Sequence, residues 1–330
     1  MPVVCFLFRR PADHAFSLER VFEQVRNHLD KNFLTEKVTI PFYSSSLPNI
    51  FRNLLFVRKQ KADVYHISGD VHYLMLTLPR QRTVLTIHDC VFLHQSSGIK
   101  RRLLKWLFLD MPVKRSLLIT TISEATKQDI LKYTGCPPGK IRVIPNPVDA
   151  GIHYLPAEFN AGHPVILFLG STPNKNLGRV IQALEGIDCT LNIVGRIPDH
   201  EAGLLQRHKI VYTQRTNLTD KELAAQYAAA DLVVFASTFE GFGLPVIEAQ
   251  RAGRPVITSN LSPMKEVAGG AACLVDPYDI DSIRQGILAV IQKEEYRRQL
   301  VEEGFRNAGR YDAAEIARQY QACYQQLLSA

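Results

Sequence analysis

Apolar positions in this chain gather in short runs that do not alternate with polar ones. In the first half these are VVCFLF (3–8), ADVYHIS (62–68), TVLTIHD (83–89) and LLITTIS (117–123). In the second half they are PVILFLG (164–170), CTLNIVG (189–195), KIVYT (209–213), LVVFAS (232–237), RPVITS (254–259) and ACLVD (272–276). Most are rich in β-branched residues, and strands apolar on both faces predict sheets covered on both sides. Between many of the runs the spacing changes to the helical period, at 17–30, 124–133, 175–185, 220–229, 245–252, 263–268, 279–292 and 294–309, with a last helix around 312–328. Strand and helix in turn predict parallel sheets with right-handed crossovers. The alternation breaks once, at VIPNPVDAGIHYLPAEFNAGHPV (143–165), where four prolines and two glycines replace periodicity. That stretch predicts a linker between two doubly wound domains. The boundaries that follow are 1–148 and 149–311, with the helix at 312–330 a candidate to pack back on the first domain.

Composition narrows the class without changing it. A chain of 330 residues is long for one core. No apolar stretch reaches the roughly 18 residues of a membrane span. The N-terminal apolar run is short and its arginines follow it, which predicts a buried strand and not a signal peptide. The six cysteines are scattered without close pairs, so neither metal spacing nor a disulfide framework is expected, and reduced thiols and a cytoplasmic location are. Charge adds an asymmetry. Residues 1–148 carry 22 Lys+Arg against 11 Asp+Glu, and the remainder 17 against 21. A basic half can face nucleic acid, anionic lipid or a phosphorylated substrate.

Ligands of parallel sheets sit beyond the carboxyl ends of the strands, so the informative residues lie in the loops there. After LVVFAS comes TFEGFG and then LPVIEAQRAG, in which Pro245 suits a first helical turn and Gly253 a helical stop. Glu240 is thus expected in a strand-to-helix loop and Glu248 about one turn into the helix. Gly241 and Gly243 permit close backbone approach, Phe242 and Leu244 complete the loop, and the helix N-terminus favours a phosphate. A carboxylate in that first turn can accept two hydroxyls of one ribose.

This stretch resembles the E-x7-E signature of the retaining glycosyltransferases of the GT-B fold, family 4, in a long and specific match, EGFGLPVIEA followed by G.PVITS. The resemblance implies two Rossmann-like domains facing a central cleft, with Glu240 on the donor sugar and Glu248 on the nucleotide ribose. It extends to FLGSTPNKNLGRVIQAL (168–184), where Gly170, the polar loop and Lys175 at a helix start make a pyrophosphate cradle. Relatives have Gly-Arg there, whereas this chain has Ser171 in a loop one residue shorter. Arg196, in the next strand-end loop VGRIPD, is a candidate for the missing cation. Thr213 to Arg215 are candidates to lie near the base, and Asn217 and Thr219 read as caps for a helix at Asp220. Ser262 with Pro263 reads as a helix start and Glu266 as a structural anchor.

In the first domain, TVLTIHDC ends on His88 and Asp89. The resemblance implies that His88 faces the donor sugar, with Asp89 a candidate to hold the ring. His66, Gly69, Asp70 and His72 are candidates for the acceptor side. Ser123 reads as an N-cap and IPNPVD as the interdomain junction. The loop RRPADHAFSLERVF lacks the glycines that relatives carry after the first strand, so Arg9, Arg10 and Ser17 are candidates to serve instead. FRNLLFVRKQK and IKRRLLKWLFL combine basic with bulky apolar residues, which predicts either helices burying one face or peripheral contact with an anionic membrane. Nucleic-acid binding is disfavoured because no recognition motif is present.

The expected activity is therefore that of a hexosyltransferase. It would move a sugar from a nucleoside diphosphate donor, UDP first and GDP next, to a hydroxyl of a glycan or lipid-linked acceptor, with retention and in cell-surface polysaccharide or glycolipid synthesis. Glu240, His88 and Lys175 are the expected catalytic residues. The expected donor-binding set is Glu248, Gly170, Ser171, Arg196, Gly241, Phe242, Gly243 and Leu244. No metal or cofactor is expected, and the setting is cytoplasmic, at the inner face of the plasma membrane. Two other readings stay open: a glycoside hydrolase, suggested by the two carboxylates, and a catalytically silent nucleotide-sugar-binding subunit. A nicotinamide oxidoreductase is disfavoured because neither half has a G-x-G-x-x-G turn.

Overall fold

The β-branched runs form the strands expected of them. The computed structural model describes residues 1–11, 17–93 and 97–329, and they divide into two units: residues 1–147 with 313–330, and residues 148–312. In the first unit the strands are β1 (Val3–Phe8), β2 (Leu34–Thr39), β3 (Val64–Ile67), β4 (Thr83–Ile87), β5 (Leu118–Thr121) and β6 (Ile141–Val143). Helices α1 (Ser17–His28), α2 (Leu47–Val57), α3 (Gly98–Lys105), α4 (Met111–Arg115) and α5 (Glu124–Thr134) lie between them. The second unit has β7 (Val165–Leu169), β8 (Thr190–Val194), β9 (Val211–Arg215), β10 (Leu232–Phe235), β11 (Val256–Ser259) and β12 (Cys273–Val275). Its helices are α6 (Leu177–Ala183), α7 (Asp199–Arg207), α8 (Asp220–Ala229), α9 (Leu244–Arg251), α10 (Met264–Ala268), α11 (Ile280–Gln292) and α12 (Glu294–Ala308). The last helix, α13 (Ala313–Leu328), belongs to the first unit.

Both sheets are wholly parallel, in the orders β2-β1-β3-β4-β5-β6 and β12-β11-β10-β7-β8-β9. In each, the chain starts at an interior strand, runs to one edge and returns past its start. The order reverses between β1 and β3 in the first sheet and between β7 and β10 in the second. At such a reversal the outgoing loops diverge and leave a crevice over the strand ends.

The central strands are buried on both faces, as their composition requires. The edge strand β9 is exposed throughout, and β2 largely so. Sequence pattern missed β2 because LTEKVT is polar, and β6 because an arginine interrupts its three residues, IRV. In the first unit, one sheet face packs on Ile50, Val57, Leu107, Leu109 and Val113 from α2 and the α3–α4 region. The other face meets α1 and α13 through an aromatic cluster of Phe6, Phe22, His66, Tyr320 and Tyr324.

That cluster corrects the acceptor-side reading of His66. The residue is fully buried, its Nδ1 pairs with Tyr324 Oη at 2.7 Å and its Nε2 with Thr86 Oγ1 at 2.6 Å. Burial pushes its pKa down to about 3. His66 is a neutral core residue with both nitrogens satisfied.

Candidate functional site

The two loops that leave the reversal point of the second sheet are sewn together by their own polar groups. After β7 the backbone turns at Gly170, whose φ of 94° suits glycine, and Pro173–Lys175 form a single 3-10 turn. Lys175 thus precedes the helix and does not start it; α6 begins at Leu177. A Cβ at position 170 would come within 2.9 Å of the Lys175 stem, so the glycine is what lets the lysine lie across the loop. Asn176 follows in the left-handed region at φ 69°, and its Nδ2 donates to Ala236 O at 3.0 Å and Pro277 O at 2.7 Å. From the loop after β10, Thr238 N donates to Asn174 O at 2.8 Å, and Asn174 Nδ2 donates back to Phe239 O at 2.9 Å.

This stitching brings two expected site residues into contact across 65 positions of sequence. Lys175 Nζ donates to Glu240 Oε1 at 2.7 Å and stands 4.6 Å from the centre of the Phe235 ring. Asn174 Nδ2 reaches the same carboxylate oxygen at 3.3 Å. Both side chains of the pair are partly shielded from solvent, 19% and 14% exposed, so the attraction is screened less than on an open surface. A lysine held over a carboxylate and an aromatic face is positioned, at little further entropic cost, for a second anion.

Glu248 lies in α9 as expected, after Gly243 at φ 102° has supplied the N-cap and Pro245 the first turn. Its carboxylate is buried, and Oε2 accepts the Tyr227 hydroxyl at 2.6 Å. Burial first, then the neighbouring Glu248 carboxylate, pushes the Tyr227 pKa well above its ordinary value, so the phenol keeps its proton and donates. Tyr227 is fully buried in turn, with its own carbonyl accepting from Arg254 Nε at 3.0 Å. The backbone N–H groups that open α9 give this carboxylate's helix a positive end beside the Glu240 loop.

The other expected donor-site residues fall nearby, with different emphases. Ser171 is half-buried in the Gly170 loop. Gly195, at φ 148°, packs directly on it: a Cβ there would lie 3.2 Å from Gly170 C and 3.4 Å from Ser171 N. Arg196, next in sequence, is exposed beside that loop. Gly241 and Leu244 line the entry to α9, whereas the Phe242 side chain is buried against Tyr311 with ring centres 5.9 Å apart, so only its backbone can face a ligand. Thr213–Arg215 lie in β9, with Thr213 Oγ1 donating to Asn192 Oδ1 at 3.0 Å. Thr219 caps α8 through a reciprocal bond with Glu222. Sequence reading missed Tyr227, Asn174 and Asn176, and also Ser237, whose buried Oγ lacks a hydrogen-bond partner just beneath the Glu240 loop.

In the first unit, His88 is buried at the end of β4, and its Nε2–H donates to Ser68 O at 3.0 Å. Burial holds its pKa below the ordinary value, so Nδ1 is an unprotonated acceptor, and it has no partner. Asp89 does not hold the ring, as its place beside His88 had suggested. It accepts from Val91 N at 2.9 Å and caps its own loop. At the reversal point of this sheet, Arg9 binds Glu19 at 3.1 Å and Asp70 at 2.7 Å, and a Cβ at Gly69 would lie 3.0 Å from Arg9 N. Arg10 donates to Pro41 O at 3.0 Å and covers the Tyr43 ring. The Ser17 side chain and residues 12–16 of the same loop lie outside the described residues.

Comparison with known proteins gives this geometry a family. The model for the group 1 glycosyl transferases matches residues 156–307, and that for Glycosyltransferase Family 4 matches residues 4–151. The O-antigen chain mannosyltransferase B of Escherichia coli is 26% identical over 289 residues, 77% of this chain and 72% of that protein. Among solved structures, sucrose-phosphate synthase from Thermosynechococcus elongatus superposes with a TM-score of 0.78 at 17% identity, over the whole of both chains. Anabaena Alr3699/HepE in complex with UDP and glucose gives 0.77 at 16%, over 97% of this chain and 99% of that one. Two parallel six-stranded sheets, a lysine–glutamate pair at the reversal point of the second, and family models that together span nearly the whole sequence lead to one assignment: the chain belongs to the family 4, group 1 glycosyltransferases, enzymes of the GT-B fold.

Proposed function

We propose that this glycosyltransferase moves a hexosyl group, mannosyl in the first instance, from a nucleoside diphosphate sugar to a hydroxyl of a growing cell-surface glycan or lipid-linked acceptor, with retention at the anomeric carbon. The observation that carries this reading is the Lys175–Glu240 contact at the reversal point, beside the buried Glu248 on α9. The name of the Escherichia coli relative supports mannose. The UDP and glucose in the Anabaena structure support a nucleoside diphosphate sugar as the donor class.

The residues divide the labour by their surroundings. Tyr227 orients the Glu248 carboxylate toward ribose hydroxyls. The α9 N-terminus, the Gly170–Ser171 backbone, Lys175 and Arg196 gather round the diphosphate. Glu240 then exchanges part of its bond with Lys175 for a hydroxyl of the donor sugar, and the lysine turns to the phosphate. As the anomeric C–O bond breaks, negative charge grows on the leaving oxygen, and cations and fixed dipoles already in place stabilise it without reorganising. The acceptor hydroxyl attacks from the face the phosphate leaves, and its proton passes to the departing phosphate oxygen. The products are a glycoside and a nucleoside diphosphate. His88 contributes its unpartnered Nδ1 to a sugar hydroxyl, and no resident metal or cofactor is invoked. A hydrolase instead needs a carboxylic acid that gives up a proton; Glu240 is held beside an ammonium and Glu248 beside a phenol that keeps its own proton.

The test pairs binding with turnover. UDP, GDP, ADP and dTDP are compared by thermal shift, since a bound nucleotide stabilises by mass action. Glu248→Ala is expected to abolish the shift given by the preferred nucleotide, and Glu240→Ala to leave the shift in place while lowering sugar transfer by about a hundredfold or more. Absence of any nucleotide shift, or rapid release of free sugar from the donor without acceptor, overturns the reading.

A further inference from the structure

The donor loops leave the carboxyl ends of β7 and β10. The amino ends of the same strands border a second cavity, of about 660 Å³, that sugar transfer does not use. The irregular stretch 154–161 forms one wall and is held at both ends. Tyr154 packs on Phe305 with ring centres 5.2 Å apart, in space left by Gly253, where a Cβ would lie 2.4 Å from the tyrosine ring. At the other end Asn160 N donates to Asp231 Oδ1 at 2.9 Å, and Val165 N to Asp231 Oδ2 at 2.7 Å. Three arginines line the cavity: Arg254, Arg297 and Arg298. Arg254 is 4% exposed and caps the end of α8, with Nε donating to Tyr227 O at 3.0 Å and Nη2 to Ala228 O at 2.8 Å. Among the described residues nothing accepts from its Nη1, and no carboxylate stands within ion-pair distance. Burial pulls its pKa down, with Asp231 acting the other way, yet a guanidinium keeps its proton. Arg297 lies 3.9 Å over the Phe159 ring and uses Nη1 on Val290 O and Ile291 O, which leaves its Nε and Nη2. Arg298 is exposed.

The carboxylates of this cavity, Glu158, Glu294 and Glu302, are exposed, and water screens them; the buried Arg254 is screened far less. Burial thus separates the signs, with an underused cation deep in the cavity and hydroxyl acceptors at its rim. A phosphate takes several guanidinium N–H groups at once, and hydroxyls carried on the same molecule suit the rim. Phe159 and Tyr154 offer flat apolar faces to ring C–H groups. We propose that this cavity binds a phosphorylated sugar, its phosphate on Arg254, Arg297 and Arg298 and its hydroxyls at the rim carboxylates, and that its binding tightens the nucleotide site. The link between the two sites is short. Arg254 holds the Tyr227 carbonyl, and the Tyr227 hydroxyl holds Glu248. The guanidinium is planar, so an anion on Nη1 fixes the plane that carries the other two bonds. A nucleotide then meets a Glu248 whose support is already ordered, which gives positive coupling without a change of fold. The coupling, though not the binding, rests on Glu248 as the nucleotide contact.

Calorimetric titration of the full chain with mannose 6-phosphate tests it, with inorganic phosphate as the second probe. The sugar phosphate is expected to bind about tenfold more tightly than phosphate alone. Ala157→Trp fills the cavity from an exposed position and leaves the arginines in place, and Arg298→Glu reverses one exposed cation. Each is expected to weaken mannose 6-phosphate about tenfold, with nucleotide affinity in its absence unchanged. Saturating mannose 6-phosphate is expected to tighten the preferred nucleotide about fivefold in the parent and not in Ala157→Trp. Tyr227→Phe is expected to keep the sugar phosphate and lose that gain. Equal binding by the parent and both variants, or binding by none of them, overturns the site. Equal affinity for inorganic phosphate overturns the assignment of a sugar. Competition between mannose 6-phosphate and nucleotide would place the probe in the donor site and overturn the proposal. A parent that binds mannose 6-phosphate in the cavity but no nucleotide would instead remove the glycosyl-transfer reading, and the coupling with it.

Discussion

At the scale of single residues, the donor site depends on partners that its own motif does not contain. Glu248 owes its orientation to Tyr227, 21 positions earlier and fully buried. Tyr227→Phe keeps the packing and removes this bond to the buried carboxylate. Such a loss costs about 1–3 kcal/mol. Nucleotide affinity is expected to fall by roughly tenfold while turnover at saturating donor changes little. A KM-against-kcat analysis checks this, and an equal loss in both would show that Tyr227 acts in the transition state. The two glutamates themselves were legible because their glycine-rich setting resembles a long signature. The Lys175–Glu240 contact was not, since no periodicity links a 3-10 turn after β7 to a loop after β10. Likewise His72 could be singled out as a candidate, but not its bond to Phe108 O, a carbonyl to which Pro112 offers no N–H.

At the scale of elements, sequence pattern located the buried strands and the capped helices best. The helical period and the cap read at Thr219 placed α8 at 220–229, with both ends as expected, and the structure adds the reciprocal bond with Glu222. Sequence pattern fared worst where an element faces solvent, as in β2, and the two stretches that combine basic with bulky apolar residues fall in α2 and at α3. α3 buries none of its residues. Ile99 is 84% exposed and Trp106, just after it, 50%, with Lys100, Arg101, Arg102 and Lys105 between them. On α2, Leu47, Phe51 and Leu55 form an exposed stripe at helical spacing, beside Arg52 and Arg58. The buried residues of α2, Ile50 and Val57, and those of the turn after α3, Leu107 and Leu109, belong to one core cluster of the first unit. Apolar residues among cations suit the surface of an anionic bilayer, where each basic residue contributes about 1 kcal/mol. No helix among the described residues is long and apolar enough to cross a membrane. Co-sedimentation with phosphatidylglycerol vesicles is expected, with little binding to phosphatidylcholine alone. The double change Ile99→Glu and Trp106→Glu is expected to reduce it about tenfold. Equal binding to both lipids would exclude the electrostatic part of this account.

At the scale of the whole molecule, the first unit carries an acid sensitivity. His66, His72 and His88 are all buried with their pKa values pushed down, His66 to about 3. The unfolded chain takes up protons at these positions near the ordinary value of about 6.5, and the folded chain does not. Their contribution to stability is therefore complete above about 6.5 and is lost as pH falls toward the folded values, by up to about 1.4 kcal/mol per pH unit for each suppressed proton. Asp89, whose pKa burial raises, opposes this, because the folded chain holds its proton more firmly than the unfolded chain does. Hydrogen exchange at pH 7.5 and 5.5 is expected to show protection falling in β3 and β4 more than in β7 and β10. Uniform loss in both sheets, or none, would contradict it.

The aromatic cluster between the first sheet and α13 also orders events in time. Tyr320 and Tyr324, which complete the surroundings of His66 and Phe22, are translated after every residue of the second unit. The second unit is continuous in sequence and needs no segment made after it. The first, although made earlier, must keep one greasy sheet face waiting until the last helix emerges. In this protein the half that is synthesised first is the half that matures last, and the nascent chain spends that interval in most need of a chaperone.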